Sequence, residues 1–295
     1  MNDEGKVRKT IIYLIVIILG LSCLVPLWNV VAISFSSSNA VLANQVALLP
    51  VNFTLGAYRQ ILEDAQFWRS FGISVFRVVV ALILNLILIV TMAYPLSKSN
   101  KVFRTRKIFM NIMIFAMLFN GGMIPTYLLV RNLGLLNTVW ALILPGAVPI
   151  GSVILIMNFF RGVPKSLEEA AYIDGATPLQ TLLKVYLPVS LPSLATVSLF
   201  SIVGSWNDFF SGLIYMTKTE NYPLMTYIQA MTINFADLIQ NTGTLSASDI
   251  QTLSEVSNRN LNAAKIVIAV LPLLAIYPFL QKYFVTGIVV GAVKE

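Results

Sequence analysis

Few residues of this chain are equipped to do chemistry. Trp206, Asn207 and Asp208 stand side by side in an apolar stretch. An indole face packs against the C–H surface of a sugar ring, and an amide and a carboxylate beside it bind hydroxyls. Asn120, in the Gly-rich segment FNGGMIP, adds a polar group among apolar neighbours. Arg77 is a cation inside another apolar run, where a charge is costly unless paired or hydrated. Other readings stand beside these. Tryptophan and asparagine also act as interfacial anchors and interhelical hydrogen bonds. Asp208 is expected to face the bundle interior and pair with Arg77 or a cavity water; alternatively Arg77 extends its head to the interface along its apolar stem.

What the chain lacks excludes other chemistries. It has no histidine and one cysteine, Cys23. That rules out histidine acid–base catalysis, an intramolecular disulfide and a Cys-based zinc cluster. No nucleophile–base set suggests an enzyme. No Gly-x-x-x-x-Gly-Lys-Ser/Thr phosphate loop occurs, so ATP is not expected to bind this chain.

The elements that position these residues must live in lipid. Of 295 residues, 57% are hydrophobic and 11% charged, against about 25% charged in a soluble domain. A span needs roughly 20 apolar residues. Six candidates run at about 11–35, 70–96, 108–130, 138–160, 189–215 and 263–285. The first holds no charge from 11 to 33, longer than the roughly 7–15 residues of a signal-peptide core. It reads as a retained span. Thirteen basic residues fall on the side holding both termini, 97–107 and 161–188, against five on the other. The basic excess marks the cytoplasmic side, so both termini are expected inside. The run SKSNKVFRTRK (97–107) is then a topological anchor, not a nucleic-acid patch. Pro125, Pro145, Pro149, Pro192, Pro272 and Pro278 fall within spans. Proline removes a helix hydrogen bond and kinks the chain, which suits helices surrounding a pathway.

The polar segment SLEEAAYIDGATPLQTLLKVYLP (166–188) interrupts the apolar runs. Ser166 with Glu169 has the spacing of a capping box, and a helix is expected over about 167–173 with Gly175 as its stop. Thr177, Pro178 and Gln180 repeat the signature. The segment therefore reads as helix, tight turn, helix. Glu168 sits near the positive end of the first helix dipole, and small Ala170 and Ala171 at its middle let it lie deep in another protein's groove. The bland alternative is a surface turn between spans.

These residues carry a resemblance. Glu169, Ala170, Ala171, Gly175, Leu187 and Pro188 stand where the cytoplasmic EAA loop of ATP-binding-cassette importer permeases has them. The segments LFNGGMIPTYLLVRNLGLLNT (118–138), SWNDFF (205–210) and GAVKE (291–295) resemble the carbohydrate branch, the inner-membrane subunits of maltose-type transporters. The likeness covers nearly the whole chain and is nearest the group serving oligosaccharide, aldouronate or alginate-like substrates. It implies an all-α integral membrane protein of the type I ABC importer permease fold, a single transmembrane domain over 1–295 with a cytoplasmic coupling helix. It implies that Glu168, Glu169, Ala170, Ala171, Asp174 and Gly175 form an ATPase-docking surface. It implies further a second homologous permease, two ATP-binding cassette subunits holding Mg-ATP, and an extracytoplasmic solute-binding lipoprotein. No cofactor is expected in this chain. The residues alone leave an alternative, an ion-gradient-driven secondary transporter or channel using Asp208 and Arg77.

Two external loops complete the reading. The first, 36–69, and the second, 217–262, are long enough to be functional. In the second, Leu224, Tyr227, Ile228, Met231, Phe235, Leu238 and Ile239 recur at helical spacing after Pro223. An amphipathic external helix is expected there, with Asn234, Asp237 and Gln240 on other faces. It either caps the bundle or lies in the lipid interface, and the resemblance implies contact with the binding protein.

Overall fold

The computed structural model describes residues 3–231 and 259–292, and among them every regular element is a helix. Among the described residues, three helices are long and apolar enough to cross a membrane singly: α1 (Asp3–Ser34), α4 (Ala65–Ser97) and the last helix, α14 (Arg259–Ala292). Three further bent pairs bring the possible spans to six. The chain divides into two compact units, one holding residues up to Trp68 and Ile228–Pro272, the other Arg69–Tyr227 and the chain from Leu273 on.

In the first unit, α1 exposes its apolar residues from Ile11 to Trp28, as a lipid-facing or partner-facing helix does. Short helices α2 (Ser38–Leu42) and α3 (Gly56–Glu63) follow. Asp64 fills the one-residue gap before α4. One carboxylate oxygen accepts from the Phe67 amide at 2.9 Å and caps the helix, while the other accepts from Lys265 Nζ of α14 at 2.8 Å. The Lys265 side chain is 2% exposed, and this carboxylate offsets much of the cost of burying its charge.

The second unit is built on α4, α5 (Arg106–Leu118), α8 (Ile150–Gly162) and α12 (Leu191–Asn207). Ile89, Ala93, Met113, Ile156, Phe160 and Val197 are buried together between them. Lipid is as apolar as these side chains, so close packing and polar contacts, not exclusion of water, hold such helices together. Tyr94, Phe160 and Tyr186 meet edge to face with centroids 5.1–6.4 Å apart, a geometry worth about 0.5–1.5 kcal/mol per pair.

Three expected spans are broken. Between α5 and α6 (Met123–Asn132) the chain turns by 111° through Gly121 and Gly122. Gly122 has φ +93°, which side-chain-bearing residues rarely adopt. Between α7 (Val139–Ile143) and α8 a short 3-10 turn, Leu144–Gly146, leads to Pro149 and a 50° bend. Pro149 lacks the N–H that a continuous helix needs. With the Asn85 amide of α4 turned so that both of its ends are satisfied, its nitrogen donates to Ala147 O in the break at 2.9 Å and its oxygen accepts from Ser201 at 2.9 Å. The span expected at 189–215 ends as a helix at Asn207 and resumes as α13 (Phe210–Tyr215).

Several expectations need correction. Neither Pro272 nor Pro278 breaks α14. One missing hydrogen bond in a long membrane helix is tolerated when neighbouring groups satisfy the freed carbonyl. Pro192 lies in the first turn of α12, where its absent N–H costs nothing. The 83° bend falls just before it, at Ser190. The external helix begins at Leu224, with Leu224 and Tyr227 buried. It approaches α13 so closely that a Cβ on Gly212 would meet Thr226 Oγ1, Cβ and Cγ2. Phe235, Leu238, Ile239, Asn234, Asp237, Gln240 and the terminal GAVKE lie outside or at the edge of the described residues.

Candidate functional site

The polar segment folds as helix, tight turn, helix. Helix α9 (Lys165–Ile173) starts after extended Pro164, whose carbonyl accepts from Leu167 N at 3.2 Å. Ser166 is therefore already inside the helix, and the expected Ser166–Glu169 capping box does not form. The stop at Gly175 does form. With φ +74°, Gly175 lets its own N–H reach Tyr172 O at 3.1 Å and the Ala176 N–H reach Ala171 O at 2.9 Å. Those two bonds close the end of the helix. Thr177 then caps α10 (Pro178–Thr181) through a complete capping box with Gln180, bonds of 3.3 and 2.9 Å. A wider turn over Leu182–Tyr186 and the single turn α11 (Leu187–Val189) carry the chain to α12.

On α9, Leu167, Ala170 and Ile173 share one face by their spacing. All three are exposed, Ile173 to 87%. Glu169 and Asp174 are exposed as well, and Ala171 is buried. Glu168 turns inward. Its oxygens accept from Lys98 Nζ at 2.7 Å, Tyr186 OH at 2.6 Å and Tyr172 OH at 3.2 Å. Burial opposes its ionisation, but the hydrogen bonds from Lys98 and Tyr186 outweigh that and hold the carboxyl below its ordinary value. Lys98 Nζ also donates to Tyr186 OH at 2.8 Å and lies 4.3 and 4.2 Å from the Tyr94 and Tyr186 ring centres.

The second feature is a cavity of about 380 Å³ between α4, the break in span four, and α12. Arg77, Ala81 and Asn85 line it at every fourth position of α4, facing Ser152, Ser201, Ser205, Asp208, Ser211 and Tyr215. Arg77 does not reach for the interface. It is 3% exposed, ion-paired to the Asp208 carboxylate, and it donates to Asp208 O at 3.0 Å and Leu142 O at 3.3 Å. Asp208 also accepts from the Ser211 amide at 3.1 Å. The charges thus cancel inside the wall, leaving hydroxyls and an amide as the cavity's uncharged polar lining.

Residues 86–290 match the family described as binding-protein-dependent transport system inner membrane component. Protein LplC of Bacillus subtilis (strain 168) is 41% identical over 275 residues, covering 93% of this chain and 90% of that protein. The chain belongs to this family. A second relative of this permease, the polygalacturonan/rhamnogalacturonan transport system permease protein YtcP of the same organism, is 36% identical over 291 residues, covering 99% of each. In the crystal structure of a bacterial ABC transporter involved in the import of the acidic polysaccharide alginate, one chain matches at a TM-score of 0.84 and 33% identity, covering 96% of this permease and 99% of that chain. The permease is thus a multi-pass protein of the cell membrane with the type I ABC permease fold, a transport subunit.

Within the permease, Arg77 and Asp208 meet at the cavity, but the other pathway candidates lie elsewhere. Trp206 is 4% exposed and packs edge-on to Phe71 at 5.7 Å, outside the cavity wall. Asn207 and Asn120 are exposed, and Asn120 accepts from Gly122 N at 2.9 Å, bracing the break in span three. Sequence reasoning missed Asn85, although Arg77, Ala81 and Asn85 repeat at i, i+4 and i+8, a legible stripe on an apolar helix. It also missed the partnership of Lys98, Glu168 and Tyr186. No spacing signal links residues 70 and 18 positions apart.

Proposed function

We propose that this permease is one of two homologous membrane subunits of an ATP-driven carbohydrate importer, its substrate an oligosaccharide of uronate or related type. It crosses the membrane six times with both termini in the cytoplasm. Two ATP-binding cassette subunits supply the energy, and an extracytoplasmic binding protein delivers the substrate. The α9 lever is the ATPase-docking element. Glu169, Ala170, Asp174 and Gly175 belong to its outer side, beside exposed Leu167 and Ile173. The observation that carries this reading is the lever's construction. A helix closed at Gly175 and a second one boxed by Thr177 and Gln180 hold an apolar face out of the bundle. Such a rigid exposed face suits a groove on another subunit, because little entropy is lost on docking.

The relatives' names supply the substrate class: polygalacturonan and rhamnogalacturonan for one, arabinooligosaccharides for another, alginate for the structural match. The hydroxyl-lined cavity beside α4 is chemically suited to such a ligand. Purification through a tag on this chain should bring an ATPase with it. Vesicles containing the complex and the binding protein should take up labelled oligogalacturonides on addition of ATP, without a proton or sodium gradient. Uptake that follows an ion gradient and ignores ATP would instead support the carrier alternative built on Asp208 and Arg77.

A further inference from the structure

We propose that Glu168, Lys98 and Tyr186 are the joint through which motion of the α9 lever reaches the two walls of the cavity, and so are positioning residues for transport and not contacts with the ATPase. The inference rests on the docking role of α9 and adds how that helix is fastened.

Glu168 and Glu169 are adjacent in sequence, but successive helix residues point about 100° apart. Glu169 faces out, while the Glu168 side chain is 19% exposed and that of Lys98 10%. Both Glu168 oxygens and two Lys98 donors are spent within the cluster. Apart from this cluster, the side chain that α9 buries is the single methyl of Ala171. Beyond the backbone links at its two ends, α9 is therefore fastened to the bundle chiefly by one ion pair and the phenol of Tyr186.

Those two anchors lead to different helices. Lys98 directly follows α4, and the end of α4 is clamped where Leu96 O accepts from Arg106 Nε at 2.8 Å and Arg161 Nη2 at 3.4 Å. Helix α4 runs unbroken to Arg77, 21 residues away and so about 30 Å by helix rise. Tyr186 lies in the turn that leads into α12, whose far end delivers Asp208. The cluster thus holds the near ends of both cavity walls, and the Arg77–Asp208 pair joins their far ends. A ligand or partner shifts such a linked pair only if it favours one arrangement over another. An ATPase gripping α9 acts on both walls through this joint.

The test uses the membrane complex purified through a tag on this chain, with Cys23→Ser and Ser205→Cys placing one thiol in the cavity wall. Maleimide labelling is timed without nucleotide and with ATP plus vanadate, alongside ATPase retention and hydrolysis rate. Glu168→Gln, Lys98→Met and Tyr186→Phe should each keep the ATPase and its hydrolysis. Each should shrink the nucleotide-dependent change in labelling by at least about fivefold, the lower end of measured couplings between sites. The double variant Glu168→Gln/Lys98→Met should be no worse than the poorer single one. A purely structural role would lower hydrolysis and labelling change together. Should the other variants fail to fold, Tyr186→Phe keeps the ring and decides the question alone. The proposal is overturned by unchanged labelling in these variants, by a wild type showing no nucleotide-dependent labelling, or by ATPase loss in Glu168→Gln but not Lys98→Met. A wild-type chain that retains no ATPase sinks the docking reading, and the joint with it.

Discussion

Removing the carboxylate of Asp208 should be far more damaging than removing its partner. The Arg77 side chain is 4% exposed and that of Asp208 27%. In Asp208→Leu the guanidinium stays buried, left with the backbone carbonyls of residue 208 and Leu142. Breaking a buried ion pair from one side costs about 3–5 kcal/mol. The two surviving carbonyl bonds and the partial exposure of the acid place this case near the lower end, about 3 kcal/mol. Arg77→Met leaves a carboxylate that is partly hydrated and still accepts from Ser211 N. Its cost is about 1–2 kcal/mol. The double variant Arg77→Met/Asp208→Leu carries no buried charge, and such apolar replacements are often close to neutral, so about 1 kcal/mol is expected. The cycle then returns a coupling of about 3 kcal/mol. Thermal unfolding in detergent, followed by size-exclusion chromatography, reads this as a midpoint lowered by roughly 6–12 °C in Asp208→Leu and largely restored in the double variant. An Asp208→Leu midpoint equal to wild type, or a double variant carrying the sum of both losses, would refute the reasoning.

Other outcomes follow from single contacts. Gly212→Val should lower thermal stability by about 1–3 kcal/mol, because the new Cβ would lie 2.8 Å from Thr226 Cβ; unchanged stability would mean the two helices separate freely. Gly175→Ala should cost about 1–2 kcal/mol for its left-handed backbone and Thr177→Ala about 1 kcal/mol for its lost cap. Both should raise amide exchange across 165–190, and exchange left at the wild-type rate would show that the lever does not depend on its caps. Glu168 tests the sign of a pH effect. Burial, Lys98, Tyr186 and Tyr172 together leave its carboxyl below the ordinary 4.5 in the folded protein. Its stabilisation is therefore complete above that value and is lost as pH falls through the lower folded one. The midpoint difference between wild type and Glu168→Gln should hold steady from about pH 7 to 5 and shrink only in stronger acid. Shrinkage already above pH 5 would contradict the arrangement around the carboxylate.

Much of the lever was legible because its signals are local. Thr177, Pro178 and Gln180 specify a cap within four positions, and Gly175 supplies a backbone conformation other residues resist. Even here one local signal misled. Ser166 and Glu169 have capping-box spacing, but Pro164 starts the helix first. Spans were found by their apolar runs, and their breaks only in part. Glycines and prolines mark where a helix is permitted to break, and tertiary partners such as Asn85 on Ala147 O decide whether it does. Thus Pro149 interrupts a span and Pro272 does not. The site residues divided the same way. A pairing of Arg77 with Asp208 could be suspected from the cost of a lone charge in lipid, while the burial of Trp206 against Phe71 left no mark in the sequence.

The amino-acid order by itself determined that this protein lives in a bilayer and carries a polar elbow of two short helices, the second of them capped. Both properties arise from composition and from neighbours a few positions apart. Only the tertiary structure decided which way each polar side chain of that elbow points. Glu168 and Glu169 are chemically identical and adjacent, yet one is exposed and the other meets Lys98, 70 positions away. Helix geometry sends them to different faces, and which face meets the bundle is set by packing between distant segments, a quantity that no short window of sequence contains.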